Sequence, residues 1–386
     1  MVRTILVISI ICMAYVFAAC SPPNVETKKP IPDNEPSTAV VPTPTPKTLP
    51  TKKTTQTNGS KNERDHLKNN SLRYLFADPP TLDPHLTTDA TSATIIVEIF
   101  GGLVTINPAL EVVPDLAKEW SIGNNGLNYN FLLRKDAVFH NGKPITANDF
   151  KWSLERAADA LTESLVVDQY LGDIVGLQKK LKGEAKEVEG IKVLGDHSLE
   201  ITITEPKSYF LPKLTYPTAF VLDKDNVESG QRWVRTPNGS GPFKLGDYVP
   251  GERMVLVRNP NFHLGAANLD EVELILSGGT SMLMYENDEI DITQVGLADL
   301  DRLLDPNNSL HSELQKAPPS FSTSYIGMNT KTPPFDDIKI RQALNYAINK
   351  TEIADLVLAN LVTPAKGILP PGFPGYNKNL KGYEHD

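Results

Sequence analysis

Two stretches, TANDFKWSLERAADAL (Thr146–Leu161) and IKVLGDHSLEITI (Ile191–Ile203), decide the fold class of this chain. The first opens with a capping box between Thr146 and Asp149, and apolar residues then recur every three or four positions, which predicts a helix. In the second, apolar and polar residues alternate on both sides of a Gly195-Asp196 turn, which predicts a β-hairpin. A helix and a hairpin this close in sequence indicate a mixed α/β domain.

The same periodicities predict further elements on either side of these two stretches. The predicted strands are Leu72–Phe76, Tyr129–Leu133, Met254–Val257, Glu271–Leu276 and Glu289–Thr293. The predicted helices, besides the one that begins at Thr146, are Asp89–Leu103 and Asp336–Ile348. Strands and helices are interspersed without a fixed period, which excludes solenoids and propellers.

Composition excludes several classes of protein. The chain has 386 residues, 40% of them hydrophobic and 22% charged, which is typical of globular domains with buried cores. Its net charge is −9, so it lacks the basic surface that binds nucleic acid through phosphate groups. We therefore expect no nucleic-acid partner.

The first 19 residues predict an export signal. Arg3 precedes the apolar run Ile5–Phe17, which is too short for a membrane-spanning helix and ends at two alanines. The sequence FAAC ending at Cys20 resembles a bacterial lipobox, in which the cysteine carries lipid and becomes the mature N-terminus. The alternative is an ordinary secretory signal with a chance cysteine. On the lipoprotein interpretation Cys12 is removed with the signal, and no free thiol is left for catalysis or metal binding.

Residues 20–70 are predicted to be a disordered tether. Nine of the residues from Pro22 to Pro50 are proline, and the block from Ser21 to Asn70 contains no aromatic residue. It carries a net charge of +3, and since Arg3 adds +1 to a total of −9, residues 71–386 carry −13. An acidic body thus follows a mildly basic, Pro/Thr/Lys-rich linker.

A search for catalytic motifs predicts no catalytic residue, cofactor or metal site. The chain has neither a G-x-S-x-G nucleophile elbow nor a phosphate-cradling glycine loop, and its seven histidines are scattered. The acidic run Glu286–Asp291 could hold a carboxylate pair for glycoside hydrolysis, but a solvated loop is the simpler interpretation. An exported chain without these motifs is expected to bind a ligand rather than to catalyse a reaction on it.

A family resemblance then becomes plain in the order of short motifs along residues 71–386. The motifs are TLDPH (81–85), IFGGLV (99–104), PDLAKEW (114–120), FLLRKD (131–136), FHNG (139–142), TANDF (146–150), SGPFK (240–244), NPNF (259–262), EIDI (289–292), NTKTPPFDD (329–337) and IRQALNYAINK (340–350). In this order they resemble the family 5 extracellular solute-binding proteins of bacteria, the oligopeptide, dipeptide and nickel receptors of ABC importers.

The resemblance implies a bilobed α/β fold of the periplasmic-binding-protein type (type II, Venus-flytrap) with an extra small domain. By it, lobe I comprises residues 71–100 and 222–321, the extra α/β domain residues 101–221, and the second ligand-binding lobe begins at 322–386. That last lobe is expected to be incomplete, which predicts a half-built cleft with weakened ligand binding.

The resemblance also implies the ligand and the residues around it. A peptide would lie between the lobes with its backbone paired to strand edges, and the receptor would deliver it to an ABC permease and its ATPase. Carried over by position, the ligand-binding residues include Thr88, Asp89, Ala90, Gln294, Val295, Ser322, Thr323 and Tyr325. For Asp89 the equally good alternative is a helix N-cap.

Alternatives stay open at this point. Within the receptor class, nickel or a short oligosaccharide rivals peptide as the ligand. Outside it, a secreted hydrolase would show turnover, and a structural envelope lipoprotein would show no ligand response. The expected location is outside the cytoplasm, with the lipid at Cys20 holding the chain to the membrane on the side of the periplasm or cell exterior.

Overall fold

The computed structural model of the chain describes residues 70–316, 321–373 and 375–386. The predicted signal peptide (1–19), the lipid site at Cys20 and the tether up to residue 69 lie outside the described residues. The strands are β1 (Ser71–Leu75), β2 (Val104–Ile106), β3 (Val112–Pro114), β4 (Ala117–Gly123), β5 (Asn128–Leu133), β6 (Ile191–Gly195), β7 (Ser198–Thr202), β8 (Phe243–Val249), β9 (Arg253–Arg258) and β10 (Glu271–Ile275). The helices are α1 (Ala90–Ile99), α2 (Ala147–Ala157), α3 (Val167–Leu171), α4 (Leu177–Leu181), α5 (Phe210–Lys213), α6 (Lys224–Val227), α7 (Ser281–Glu286), α8 (Leu297–Leu304), α9 (Ile338–Ala347) and α10 (Lys350–Glu352). None of the helices described here is long and apolar enough to cross a membrane.

The first sheet has the strand order β1-β10-β9-β8. β1 runs parallel to β10, and the other two pairs are antiparallel. Because successive side chains on a strand point to opposite faces, Val272 and Leu274 of β10 and Met254 and Leu256 of β9 line one face. The isoleucines of α1 pack on this face, and together they make a first hydrophobic core.

The end of α1 is set by the chain that packs against it. The helix predicted to reach Leu103 ends at Ile99, because the Ile99 carbonyl accepts hydrogen bonds from the N–H groups of Ser240 (3.0 Å) and Gly241 (2.8 Å). A Cβ atom at Gly239 would lie only 2.0 Å from that carbonyl oxygen, so the close approach requires glycine. The extension to Leu103 was therefore wrong, and Leu103 belongs to a second core.

The second core lies under an antiparallel sheet of order β4-β5-β7-β6, beside the β2-β3 hairpin. The predicted hairpin is confirmed as β6 and β7, with Val193 opposite Leu199. The predicted capping box is also confirmed, since the Thr146 N–H donates to Asp149 Oδ2 at 2.8 Å. Phe150 of α2 is fully buried in this core.

The strand predicted over Glu289–Thr293 does not form. The Asp291 N–H donates to the Arg73 carbonyl at 2.8 Å, but the Arg73 N–H is taken by the Asp291 side chain, also at 2.8 Å. A carboxylate thus replaces the backbone acceptor that would continue the ladder along the edge of β1. An Arg73–Asp291 ion pair of 3.1 Å further fixes this arrangement.

A buried polar cluster joins the two cores. Arg156 of α2 donates to both carboxylate oxygens of Asp83, at 3.1 and 2.7 Å, and to His85 Nδ1 at 2.9 Å. Since the Phe220 carbonyl can only accept, His85 Nε2 carries the proton and donates to it at 3.2 Å. Burial lowers the pKa of His85 to about 4, so the ring is neutral at pH 7.

A second set of polar contacts lies where the FHNG turn meets the first sheet. His140 Nε2 donates to the Gly241 carbonyl at 3.1 Å, and the Lys244 ammonium donates to the His140 carbonyl at 2.9 Å. The Lys143 ammonium donates to Asp223 at 2.6 Å. Burial lowers the pKa of His140 to about 4. Both junctions thus depend on neutral imidazole rings.

Residues 321–386 bury far fewer side chains than residues 70–316 do. Among their described members Ala354 alone is buried, and α9 buries no residue. The predicted helix over Asp336–Ile348 is confirmed as α9, with Asp337 as its N-cap. Its apolar residues Ile340 and Leu344 are 37% and 39% exposed.

Candidate functional site

Thr88 and Asp89 lead into α1, whose first residue is Ala90. Thr88 and Ala90 are exposed and Asp89 is half-buried. Asp89 has extended backbone angles, and its Oδ1 accepts a hydrogen bond from the Ser92 N–H at 2.8 Å, which confirms the N-cap interpretation. Within the part of the chain that the structure describes, Asp89 Oδ2 has no hydrogen-bond partner, so one carboxylate oxygen stays available to a ligand.

Two tyrosines lie beside this loop. The Tyr216 hydroxyl donates to the Thr87 carbonyl at 3.2 Å. The Tyr216 ring stacks on Tyr170 of α3, with centroids 3.9 Å apart and planes within 4° of parallel. Burial, with smaller effects of Tyr170 and of the Asp89 charge, raises the pKa of Tyr216. We name Tyr170 and Tyr216 the tyrosine pair.

The second predicted group, Gln294 and Val295, follows the segment that passes the edge of β1. Gln294 is exposed, whereas Val295 packs on a small apolar cluster around Met284 and Ile290. The Gln294 carbonyl accepts a hydrogen bond from Thr293 Oγ1 at 3.3 Å. Gln294 therefore offers a side chain to solvent, and Val295 helps to fix the backbone on which it stands.

The third predicted group lies after residues 317–320, which are outside the described residues. Ser322 is exposed, Thr323 is half-buried, and Tyr325 is 74% exposed. No hydrogen bond or ion pair among the described residues links this group to Thr88–Ala90 or to Gln294 and Val295. Each of the three groups contains exposed residues, and their ligand-binding role stays a prediction.

Two surface depressions of the described residues lie away from the three predicted groups. One of about 380 Å³ is lined by residues between Ala347 and Val357, and one of about 350 Å³ by Lys118 and residues 132–136. Neither contains a residue of the three predicted groups.

The acidic run Glu286–Asp291 is engaged in ion pairs rather than gathered around a cavity. Glu286 pairs with Arg302 at 2.6 Å, and Asp291 pairs with Arg73. The described residues hold no group of three or more His, Cys, Asp or Glu side chains that could bind a metal ion. The arrangement favours the interpretation of this run as a structural loop.

Sequence reasoning missed the tyrosine pair. Tyr170 and Tyr216 lie far apart in the chain, and neither belongs to a motif. The one available signal was the Tyr216-Pro217 dipeptide, which predicts a turn but not a stacking partner. The polar cluster of Asp83, His85 and Arg156 was also missed as a unit, although two of its members lie in the TLDPH motif.

Comparison with known proteins shows similarity to one bacterial family and to several of its solved structures. Residues 111–386 match the family described as "Bacterial extracellular solute-binding proteins, family 5 Middle". The periplasmic oligopeptide-binding protein OppA of Escherichia coli is 31% identical over 324 residues, which are 79% of this chain and 57% of that protein. The structure of the E. coli murein tripeptide-binding protein MppA matches with a TM-score of 0.70 and 27% identity, over 80% of this chain and 61% of that one. An oligopeptide-binding protein of Borrelia burgdorferi matches with a TM-score of 0.70 and 30% identity, over 81% of this chain and 64% of that one.

The chain spans about 57% of the length of the curated relative and 61–64% of the two solved structures. The match nevertheless covers more than half of the chain itself, and the fold of these neighbours is the mixed α/β fold seen here. The family and these relatives are transport receptors and not enzymes. This chain therefore belongs to family 5 of the bacterial extracellular solute-binding proteins.

Proposed function

We propose that the chain is the ligand-binding component of an ABC importer, which captures peptides outside the cytoplasm and passes them to a membrane permease and its ATPase. The observation that carries the proposal is the family match over residues 111–386. It is supported by relatives whose names state oligopeptide and murein tripeptide binding. No bond of the ligand is made or broken in this role.

The division of labour within the chain is part of the proposal. We assign residues 71–100 and 222–321 to lobe I, residues 101–221 to the extra domain, and residues 322–386 to the second ligand-binding lobe. In support, the first core draws its buried residues from 82–100 and 220–276, and the second from 103–221. The buried Arg156–Asp83 contact then ties the extra domain to lobe I.

Peptide backbone recognition suits the three accessible segments. Loops or extended chain contain Thr88, Asp89, Gln294 and Ser322–Tyr325, whereas Ala90 is the first residue of α1. All of these segments have exposed residues, and none is an internal part of a sheet. Such segments can exchange main-chain hydrogen bonds with an extended peptide, which gives affinity without fixing the side chains of the ligand. The charge of −13 on residues 71–386 favours a ligand whose amino terminus is positive.

Delivery requires the receptor to stay near its permease. We propose that Cys20 carries the lipid and that residues 21–70 form the tether. The proline content of this block supports a semi-rigid spacer, and its net charge of +3 suits an anionic membrane surface. A Cys20→Ser variant is expected to move from the membrane fraction to the soluble fraction of the exporting cell.

Ligand binding is tested with the purified chain by thermal shift and isothermal titration calorimetry. The panel contains free tripeptides, the same peptides N-acetylated, nickel with histidine, and maltotriose. We expect free tripeptides to raise the melting temperature, since a ligand that binds only the folded state stabilises it, and acetylation to weaken the effect. Mass spectrometry after incubation should recover intact peptide.

Each other outcome contradicts a stated part of the proposal. Cleaved peptide would show a hydrolase, and a response to nickel or maltotriose alone would reassign the ligand. No response to any member of the panel would leave a structural lipoprotein as the better description. Equal binding of free and acetylated peptides would remove the role of the ligand amino terminus.

A further inference from the structure

The tyrosine pair is half-buried, and Tyr170 packs in part against the second core. Each ring covers one face of the other, and both side chains retain solvent exposure. In the second core the described aromatic residues Phe131, Phe139 and Phe150 are instead fully buried. Two stacked rings at a solvent boundary form a flat aromatic surface that can take a further planar group.

The position of the pair is tied to the loop before α1. The hydrogen bond from Tyr216 to the Thr87 carbonyl holds the ring next to Thr88 and Asp89. On the other side, α3 is followed by Asp173, which accepts from the ammonium groups of Lys207 (2.7 Å) and Lys213 (2.6 Å). These bonds fix α3 and the Tyr170 ring in place. The surface is therefore preorganised rather than a mobile side-chain arrangement.

The charge beside the pair is negative. The half-buried Asp89 carboxylate uses Oδ1 for its N-cap bond and leaves Oδ2 unpaired among the described residues. The two lysines that hold Asp173, Lys207 and Lys213, are balanced in charge by Asp173 together with Glu205, which also pairs with Lys207. A flat aromatic face next to an unpaired carboxylate attracts cations, since the ring quadrupole and the charge act in the same direction.

We propose that Tyr170, Tyr216 and Asp89 form a subsite for a cationic side chain of the bound peptide, with arginine as the best fit. The inference rests on the proposed peptide-binding function and adds to it a preference among peptides. A guanidinium is planar, so it stacks on the Tyr face while its N–H groups reach the Asp89 carboxylate. A lysine ammonium is a compact charge and gains less from stacking.

The test is calorimetry with tripeptides of alanine that carry arginine, lysine, citrulline or leucine at the first, second or third position. Citrulline has nearly the shape of arginine without its charge. We expect arginine to bind about tenfold tighter than citrulline at one position, a ratio typical of a cation–π contact joined to a charge. Lysine at that position should fall between the two.

Two variants and a control locate the effect. Asp89→Asn keeps a good N-cap and should reduce the ratio of arginine to citrulline to about threefold or less. Tyr170→Leu should also reduce this ratio. Tyr209→Leu is the matched control, because Tyr209 is 52% exposed in the same part of the chain and lies beneath Lys207 and Lys213. Tyr209→Leu should leave the ratio of arginine to citrulline affinity as it is in the wild type.

The outcomes separate this inference from the proposed function. If no tripeptide binds the wild-type chain, peptide capture itself is wrong. If tripeptides bind but arginine equals citrulline at every position, or leucine binds tightest, the cationic subsite is overturned and the receptor function stands. A ratio that survives both Asp89→Asn and Tyr170→Leu would place the preference elsewhere in the chain.

Discussion

Residues 70–316 and residues 321–386 are built by different means. The first part has two large hydrophobic cores joined by the buried Arg156–Asp83 contact, and a small apolar cluster around Met284 and Ile290. The second has a capped amphipathic helix, α9, whose residues are all at least partly exposed, and Ala354 is the one buried residue among its described members. We refer to these as the body and the C-terminal segment.

The difference shows that helical periodicity and burial are separate properties. Both α2 and α9 begin at an N-cap and carry apolar residues at helical spacing. The apolar face of α2 meets sheet residues of the second core, whereas that of α9 meets no comparable layer in the described residues. Since most helix stability in proteins comes from packing, the same pattern should have unequal energetic weight in the two parts.

The largest expected effect is truncation of a core aromatic residue in the body. Phe150 is fully buried, so Phe150→Ala should lower the free energy of unfolding by about 4 kcal/mol through lost burial and a cavity. Urea unfolding followed by tryptophan fluorescence measures this change, because Trp120, Trp152 and Trp233 all lie in the body. Phe150→Leu should give a smaller loss and serves as the variant that still folds.

The matched change in the C-terminal segment is Leu344→Ala on α9. Leu344 is 39% exposed, so we expect Leu344→Ala to lower the free energy of unfolding by less than about 1 kcal/mol in the same assay. A loss comparable to that of Phe150→Ala would show that the segment is packed as firmly as the body and would break the comparison.

The next effect concerns the cluster between the two cores. Arg156→Met should lower the free energy of unfolding by about 3 kcal/mol, because it leaves the Asp83 carboxylate buried without its partner. Arg253→Met is the control, since Arg253 and Asp247 form an ion pair in which both side chains are 51% exposed, and should cost at most about 0.5 kcal/mol. Equal losses in the two variants would mean that the junction is no stronger than a surface ion pair.

Local sequence patterns predicted six of the ten strands and two of the eight helices described in the body, but not their contacts. The capping box at Thr146 and the β6-β7 hairpin are set by neighbours in sequence and were predicted correctly. The end of α1 was not, because it depends on Gly239 and Gly241, which lie far along the chain. Two backbone segments that lie far apart in sequence can approach each other closely without a periodic pattern in the sequence of either one.

The same limit applies to the site. The N-cap role of Asp89 is local and was predicted as one of its two interpretations. The strand over Glu289–Thr293 was wrong because the Asp291 side chain takes a bond that the pattern assigned to backbone. The stacking of Tyr170 on Tyr216 joins residues without a shared motif. Single residues of the site can therefore be proposed from sequence, whereas its surface requires the structure.

The third effect is a pH dependence of the body. Burial lowers the pKa of His85 and His140 to about 4, against about 6.5 in an unfolded chain. Between these values the unfolded state holds more protons, so the free energy of unfolding falls as the pH is lowered. We expect a loss of about 2 kcal/mol between pH 6.5 and 5.5 from both rings together.

Charged side chains lie next to both histidine rings. Asp83 and Arg156 face His85, and Lys244 lies near His140. His140→Gln keeps a donor for the Gly241 carbonyl and should reduce the pH dependence by about half, measured by urea unfolding at a series of pH values. An unchanged slope in this variant would assign the acid sensitivity to other groups. Hydrogen exchange of α9, which contains no histidine, should not follow this titration.

The smallest effect compares two N-caps of identical chemistry. Asp89 accepts from the Ser92 N–H, and Asp337 accepts from the Lys339 N–H, both at 2.8 Å. Replacement of an N-cap by alanine costs about 1 kcal/mol when the helix must form for the protein to fold. Asp89→Ala should therefore lower the free energy of unfolding of the body by about that amount, while Asp89→Asn leaves it nearly unchanged. Asp337→Ala should not change this value and should instead speed hydrogen exchange and proteolysis within α9, because α9 contributes no buried residue. Equal losses of global stability from Asp89→Ala and Asp337→Ala would mean that α9 folds cooperatively with the body, despite its exposed face.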